Sequence, residues 1–134
     1  ISHIVLPCGT GGTLAGVALS CPDTQVLGIP VLKNAAFLHE DIGNLMQASG
    51  YQPSGNWNLD FEGHYGGYAK INFRLSQFIE DMARENRLEL DQVYTGKMLL
   101  RVMELIKQGY YEKGARVLAI HTGGLQGVRS RLAT

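Results

Sequence analysis

A turn containing three glycines and two threonines, Cys8-Gly9-Thr10-Gly11-Gly12-Thr13, joins the apolar run Ile4-Val5-Leu6 to a stretch of small apolar residues from Leu14 to Leu19. That order reads as a short strand over Ser2 to Pro7, a tight turn and a helix, because the glycines open backbone angles that other residues avoid. The geometry carries a chemical corollary. The first turn of a helix leaves N–H groups without intrahelical partners at the positive end of the helix dipole, and the Thr10 and Thr13 hydroxyls add donors. Such a loop suits an anion, above all a phosphate. A glycine turn that serves packing alone fits this short pattern equally well.

Downstream, Gln25 to Leu32 is a second β-rich run ending at Pro30, and Asn34 is placed to cap a helix with Phe37, Leu38, Ile42, Leu45 and Met46 at helical spacing. Gly50 to Gly67 is rich in Gly, Asn, Pro and aromatics, which predicts an irregular excursion of a length usually reserved for function. Asn72 to Asn86 predicts an amphipathic helix docked on a sheet. Met98 to Lys107 predicts another, with Leu99, Val102, Met103 and Ile106 inward, entered through a Thr95-Gly96-Lys97 turn and ended by Gly109. Arg116 to Ile120 is a third strand, and His121-Thr122-Gly123-Gly124 leads into a last short helix ending in Arg129 and Arg131. Alternating strands and helices imply an α/β fold of three layers around a mostly parallel sheet, in a single domain over 1–134. The chain opens on Ile1 and enters an apolar strand almost at once, so it is expected to be a C-terminal piece of a longer protein.

Composition and spacing narrow the ligand. Leu14 stands where the dinucleotide fingerprint wants its third glycine, and no lysine precedes Lys33 to complete a nucleotide-triphosphate loop. A monophosphate such as that of pyridoxal phosphate remains, needing one anion cradle and a partner for its ring nitrogen. Twelve basic residues balance twelve acidic ones without a basic cluster, so no nucleic-acid partner is expected. Cys8 and Cys21 form no C-x-x-C pair, which predicts neither a metal site nor a disulfide framework and favours a reducing, cytoplasmic setting. Apolar runs fall well short of the roughly 18 residues that cross a bilayer, so no membrane span is expected. Cys8, placed before a helix amino terminus, is expected either to pack beside the loop or to have a lowered pKa.

Three motifs in order, Gly9-Thr10-Gly11-Gly12-Thr13-Leu14-Ala15-Gly16, Asp91-Gln92-Val93-Tyr94-Thr95-Gly96-Lys97 and Ile120-His121-Thr122-Gly123-Gly124, resemble the aminocyclopropane-carboxylate deaminase and D-cysteine desulfhydrase family. The resemblance spans nearly the whole chain and rests on the order and spacing of the motifs. It implies the pyridoxal-phosphate fold of the tryptophan-synthase β-subunit type, of which this chain would form part of the larger domain. By the same resemblance, Thr10, Gly11, Gly12 and Thr13 hold the cofactor phosphate. Tyr94 faces the cofactor in proton transfer or substrate activation, and Tyr65, or Tyr68 in its stead, supplies a second active-site tyrosine. Thr95 or Thr122 partners the ring nitrogen.

True deaminases of the family carry Glu where this sequence has Thr95, so the chain leans to the desulfhydrase branch. A neutral hydroxyl does not hold the ring protonated as a carboxylate does, which suits α,β-elimination of a good leaving group from a small amino acid. The Schiff-base lysine of the family lies upstream of the phosphate loop and is absent here; Lys97 is expected at a helix end or the surface. His121 is expected as a hydrogen-bonded residue at a strand end. The isolated chain is expected to be inactive and to associate, and the whole protein to be a homodimer whose N-terminal half completes the site. The alternative is a non-catalytic module that binds a phosphorylated metabolite.

Overall fold

Strands and helices alternate through residues 1–122, the part of the chain described by the computed structural model. The order is β1 (His3–Cys8), α1 (Gly12–Ser20), β2 (Gln25–Pro30), α2 (Phe37–Ser49), β3 (Trp57–Leu59), α3 (Phe73–Asn86), α4 (Thr95–Lys107) and β4 (Val117–Ala119). Gly123, Gly124, Arg129, Arg131 and the expected last helix lie outside the described residues. The sheet runs β3-β2-β1-β4, and every pairing is parallel. Among the described residues no helix is long and apolar enough to cross a membrane.

Alternating side chains of the central strand explain the layering. Ile4, Leu6 and Cys8 face α1 and α2 and form one core with Leu14, Ala18, Leu38, Ile42 and Met46. Val5 faces the other way, and with Leu27 and Ile29 it packs on Met98, Val102 and Leu105 of α4. The expected three-layer α/β architecture is therefore present. β3 was not anticipated: it lies within the Gly50 to Gly67 excursion and is held in place by Asn56, whose amide donates to the carbonyls of Ala18, Cys21 and Thr24.

Several local expectations need correction. Asn34 does not cap α2; it sits at φ 53° and the helix starts after Ala36. Asn72 does cap α3, its side chain accepting the Leu75 N–H at 2.8 Å. α3 packs its Leu75 and Ile79 on Leu90 and on Leu100 of α4, so it forms an outer layer over α4 instead of lying on the sheet. The Thr95-Gly96-Lys97 segment is the first turn of α4 itself. The buried face of α4 runs through Met98, Leu100, Val102 and Leu105, while Met103 and Ile106 are about half exposed.

Candidate active site

β2 and β3 follow β1 on one side, whereas β4 joins β1 on the other. The chain thus reverses direction at β1, and open parallel sheets place their ligand crevice outside the carboxyl ends of the two strands that flank such a reversal. Here those ends are Cys8-Gly9-Thr10 after β1 and His121-Thr122 after β4, whose Ile120 N–H donates to Val5 O at 2.8 Å. Two of the motifs singled out in the sequence lie at this one end of the sheet.

The glycine loop turns into α1 through Gly11, which has φ 87° and serves as N-cap without any side chain capping the helix. A Cβ at Gly11 would lie 2.4 Å from Ile42, so both backbone angle and packing demand glycine. Thr10, Gly12 and Thr13 are exposed around the uncapped first turn. Of the two roles open to Cys8 the structure shows packing beside the loop: it is buried, and desolvation pushes its thiol up to about 12 instead of lowering it. Iodoacetamide at pH 8 should therefore label the partly exposed Cys21 and spare Cys8 in the native protein, as read by peptide mass spectrometry. The folded pKa lies above the ordinary 9.0, so the stability linked to this thiol is full below 9 and is lost as pH rises toward about 12.

Tyr94, the residue before α4, leans over the glycine loop. A Cβ at Gly9 would stand 3.4 Å from the Tyr94 ring and 3.6 Å from its hydroxyl oxygen, so the ring lies within van der Waals reach of the loop. The second tyrosine at this place is Tyr68, whose hydroxyl lies 3.4 Å from that of Tyr94, with the rings edge to face at 6.3 Å. Its hydrogen bond, then partial burial, then the neighbouring Tyr68 and Asp91 charges, raise the Tyr94 pKa. Tyr65 is not brought to this pair. Its hydroxyl donates to the Glu104 carboxylate, and burial together with that carboxylate drives its pKa far upward.

Thr95 and Thr122 also part company. Thr95 has no exposed surface; its hydroxyl donates to Asp91 Oδ1 at 2.6 Å and accepts the Asp91 N–H at 3.0 Å. Neither function is left for a ligand. Thr122 is exposed at the end of the β4 strand, and His121 beside it hydrogen-bonds Glu89 O at 2.9 Å. Lys97 is at a helix end but not on the surface: it is fully buried, and its Nζ donates to Gly67 O at 2.8 Å.

Lys97 is one of three polar residues at i, i+4 and i+7 that clamp the excursion onto α4. Arg101 holds Asp60 with two hydrogen bonds of 2.9 and 3.1 Å, and Glu104 receives Tyr65. None of the three was singled out for this role by the sequence. Their spacing on one helix face was the available signal.

No protein-family model matches the chain. Curated relatives called "Putative 1-aminocyclopropane-1-carboxylate deaminase" do match it. That of Pyrococcus furiosus is 33% identical over 132 residues, covering 92% of this chain and 40% of that protein. The Pyrococcus abyssi relative is 32% identical over 136 residues, covering 96% of the chain and 41% of that protein. The chain thus spans about two-fifths of the length of these relatives. A solved crystal structure described as "the ACC deaminase homologue" superposes with a TM-score of 0.86 at 30% identity, over 98% of this chain and 43% of that one. With the parallel sheet, the glycine loop and the tyrosine pair in place, these matches assign the chain to the 1-aminocyclopropane-1-carboxylate deaminase family, as part of its pyridoxal-phosphate fold.

Proposed function

We propose that the protein carrying this chain is a pyridoxal-phosphate-dependent lyase or deaminase of small amino acids, and that this chain supplies the phosphate cradle and the proton-transfer tyrosines. The observation that carries it is Tyr94 lying against Gly9, which puts a phenol beside an uncapped helix amino terminus at the sheet's switch point. The donor set fits the cofactor: free first-turn N–H groups, the exposed Thr10 and Thr13, and Thr122 as the accessible hydroxyl for the ring nitrogen. Thr95 does not fit that last role, because its hydroxyl is spent on Asp91.

When bound, pyridoxal phosphate supplies a conjugated ring that stabilises negative charge on the substrate carbon beside the amino nitrogen. The chain's own contribution is acid–base chemistry. Tyr94 holds its proton at Oη through neutral pH and donates it; Tyr68, within hydrogen-bond reach, orients that hydroxyl and favours its protonated form. Tyr65 takes no part, since its proton is committed to Glu104. A hydroxyl in place of a carboxylate at the ring nitrogen favours α,β-elimination of a good leaving group, as in D-cysteine desulfhydration, over cyclopropane opening.

Pyridoxal phosphate added to the full-length protein is expected to give an absorption band near the visible edge, and borohydride trapping should fix it to a lysine outside residues 1–134. Added to this chain alone it should give no such adduct. Attachment at Lys33 or Lys97 would overturn the assignment, and binding without an adduct in the full-length protein would favour a non-catalytic phosphate-binding module. D-Cysteine should release sulfide and ammonia faster than the cyclopropane substrate releases ammonia.

A further inference from the structure

Resting on the tyrosine pair proposed above, we infer that Lys97 is a positioning residue: its buried ammonium fixes the Gly67 carbonyl and thereby sets Tyr68 against Tyr94. The segment that carries Tyr68 is one that does not hold its shape unaided. Tyr65, Gly66, Gly67 and Ala69 all have positive φ, at 49°, 106°, 121° and 58°. For the two residues with side chains that conformation costs about 1–2 kcal/mol apiece, so surrounding contacts must impose it.

The imposing contacts come from α4. Tyr94 directly precedes α4 and Lys97 lies in its first turn. Tyr94 meets the Tyr68 hydroxyl at 3.4 Å, and Lys97 Nζ meets the carbonyl of the preceding Gly67 at 2.8 Å. One turn of helix therefore grips two consecutive loop residues at two points. The Gly67 carbonyl also accepts the Lys70 N–H at 3.0 Å, which closes the turn that Tyr68 sits in. Arg101 and Glu104 secure the excursion further along, at Asp60 and Tyr65, but Lys97 alone reaches the residue adjoining Tyr68. A lysine with no exposed surface is costly to bury, and packing alone would be met by methionine or leucine.

The test is a double-mutant cycle in the full-length protein, read by NMR of ζ-carbon-labelled tyrosine as the Tyr94 phenol is titrated. Tyr68→Phe reports the Tyr94 titration without its partner. Lys97→Met is expected to shift that titration, and the shift should shrink by at least half in the Tyr68→Phe background, because Lys97 acts through Tyr68. Removing a cation raises a phenol's pKa by itself, so an equal shift in both backgrounds would reveal a direct charge effect and overturn the inference. No shift in either would overturn it too.

If Lys97→Met does not fold, Gly67→Ala strains the same joint from the loop side with Lys97 intact, since alanine does not tolerate φ near 121°. It should displace the Tyr94 titration in the same Tyr68-dependent way, and an unchanged titration would refute the inference. Absorbance of bound pyridoxal phosphate is recorded alongside. A protein that binds none defeats the proposed function, while the tyrosine cycle still decides the role of Lys97.

Discussion

Turnover by the full-length protein is expected to fall about 10²- to 10⁴-fold when Tyr94 is replaced by Phe, with pyridoxal-phosphate binding retained. The phenol lies against the glycine loop and can carry a proton, and phenylalanine keeps its packing against Gly9 while deleting that proton. Tyr68→Phe should also slow turnover, by less, because it removes the hydroxyl that orients the phenol and not the proton carrier. Tyr65→Phe should leave turnover near its original value and cost stability instead, since it removes the phenol donor of the Glu104 carboxylate, which keeps its ion pair with Arg74 at 3.1 Å. Steady-state kinetics on the three variants, with cofactor absorbance as control, separate these outcomes. Loss of activity in Tyr65→Phe alone would sink the assignment.

The pH profile gives the same expectation a sign. Tyr94 is held above its ordinary pKa, chiefly by Tyr68, so its protonated form persists through neutral pH and activity that needs it declines only on the alkaline side. Removing the Tyr68 hydroxyl lowers that pKa and should bring the alkaline limb to lower pH.

The parts of this site that the sequence made legible are those set by short-range rules. The strand, turn and helix around Cys8 to Thr13 declare themselves, since glycines between apolar runs leave few conformations open. β3 did not, because three residues, Trp57-Asn58-Leu59, are too few to show an alternating pattern. The choice between Tyr65 and Tyr68 was closed to sequence reasoning for a different reason. Backbone angles of positive φ on either side of Tyr68 reorient successive side chains in ways that no periodicity encodes, and only long-range contacts from α4 select them.

Thr95 illustrates the hazard of reading roles from position alone. The family resemblance offers it as a partner of the ring nitrogen, but it and Tyr94 are neighbouring positions at a helix start, which point about 100° apart. Tyr94 turns to the loop and Thr95 into the protein. The polar stripe Lys97, Arg101 and Glu104 was concealed by the same habit, since charged residues on a helix are ordinarily solvated and these three face the excursion.

Asp91 is where fold and site are joined, and Asp91→Ala is expected to destabilise the protein by about 3 kcal/mol. Its carboxylate accepts the N–H groups of Val93 and Tyr94 at 2.8 Å, that of Thr95 at 2.7 Å and the Thr95 hydroxyl at 2.6 Å. Its own carbonyl accepts the Gly96 N–H at 2.8 Å, and a Cβ at Gly96 would lie 2.5 Å from that oxygen. The entire entry into α4 is thus wound around one buried side chain. Alanine removes four acceptor contacts at once and leaves donors inside the protein, whereas Thr95→Val removes one hydroxyl and should cost about 1 kcal/mol. Because Tyr94 hangs on this turn through its own N–H, Asp91→Ala should reduce turnover as well as stability, while Thr95→Val should spare turnover. Urea denaturation of both variants, with the slope unchanged from the parent, measures the difference. A cost below 1 kcal/mol for Asp91→Ala would show that water or another donor set replaces the carboxylate, and that the turn presenting Tyr94 is held by its backbone alone.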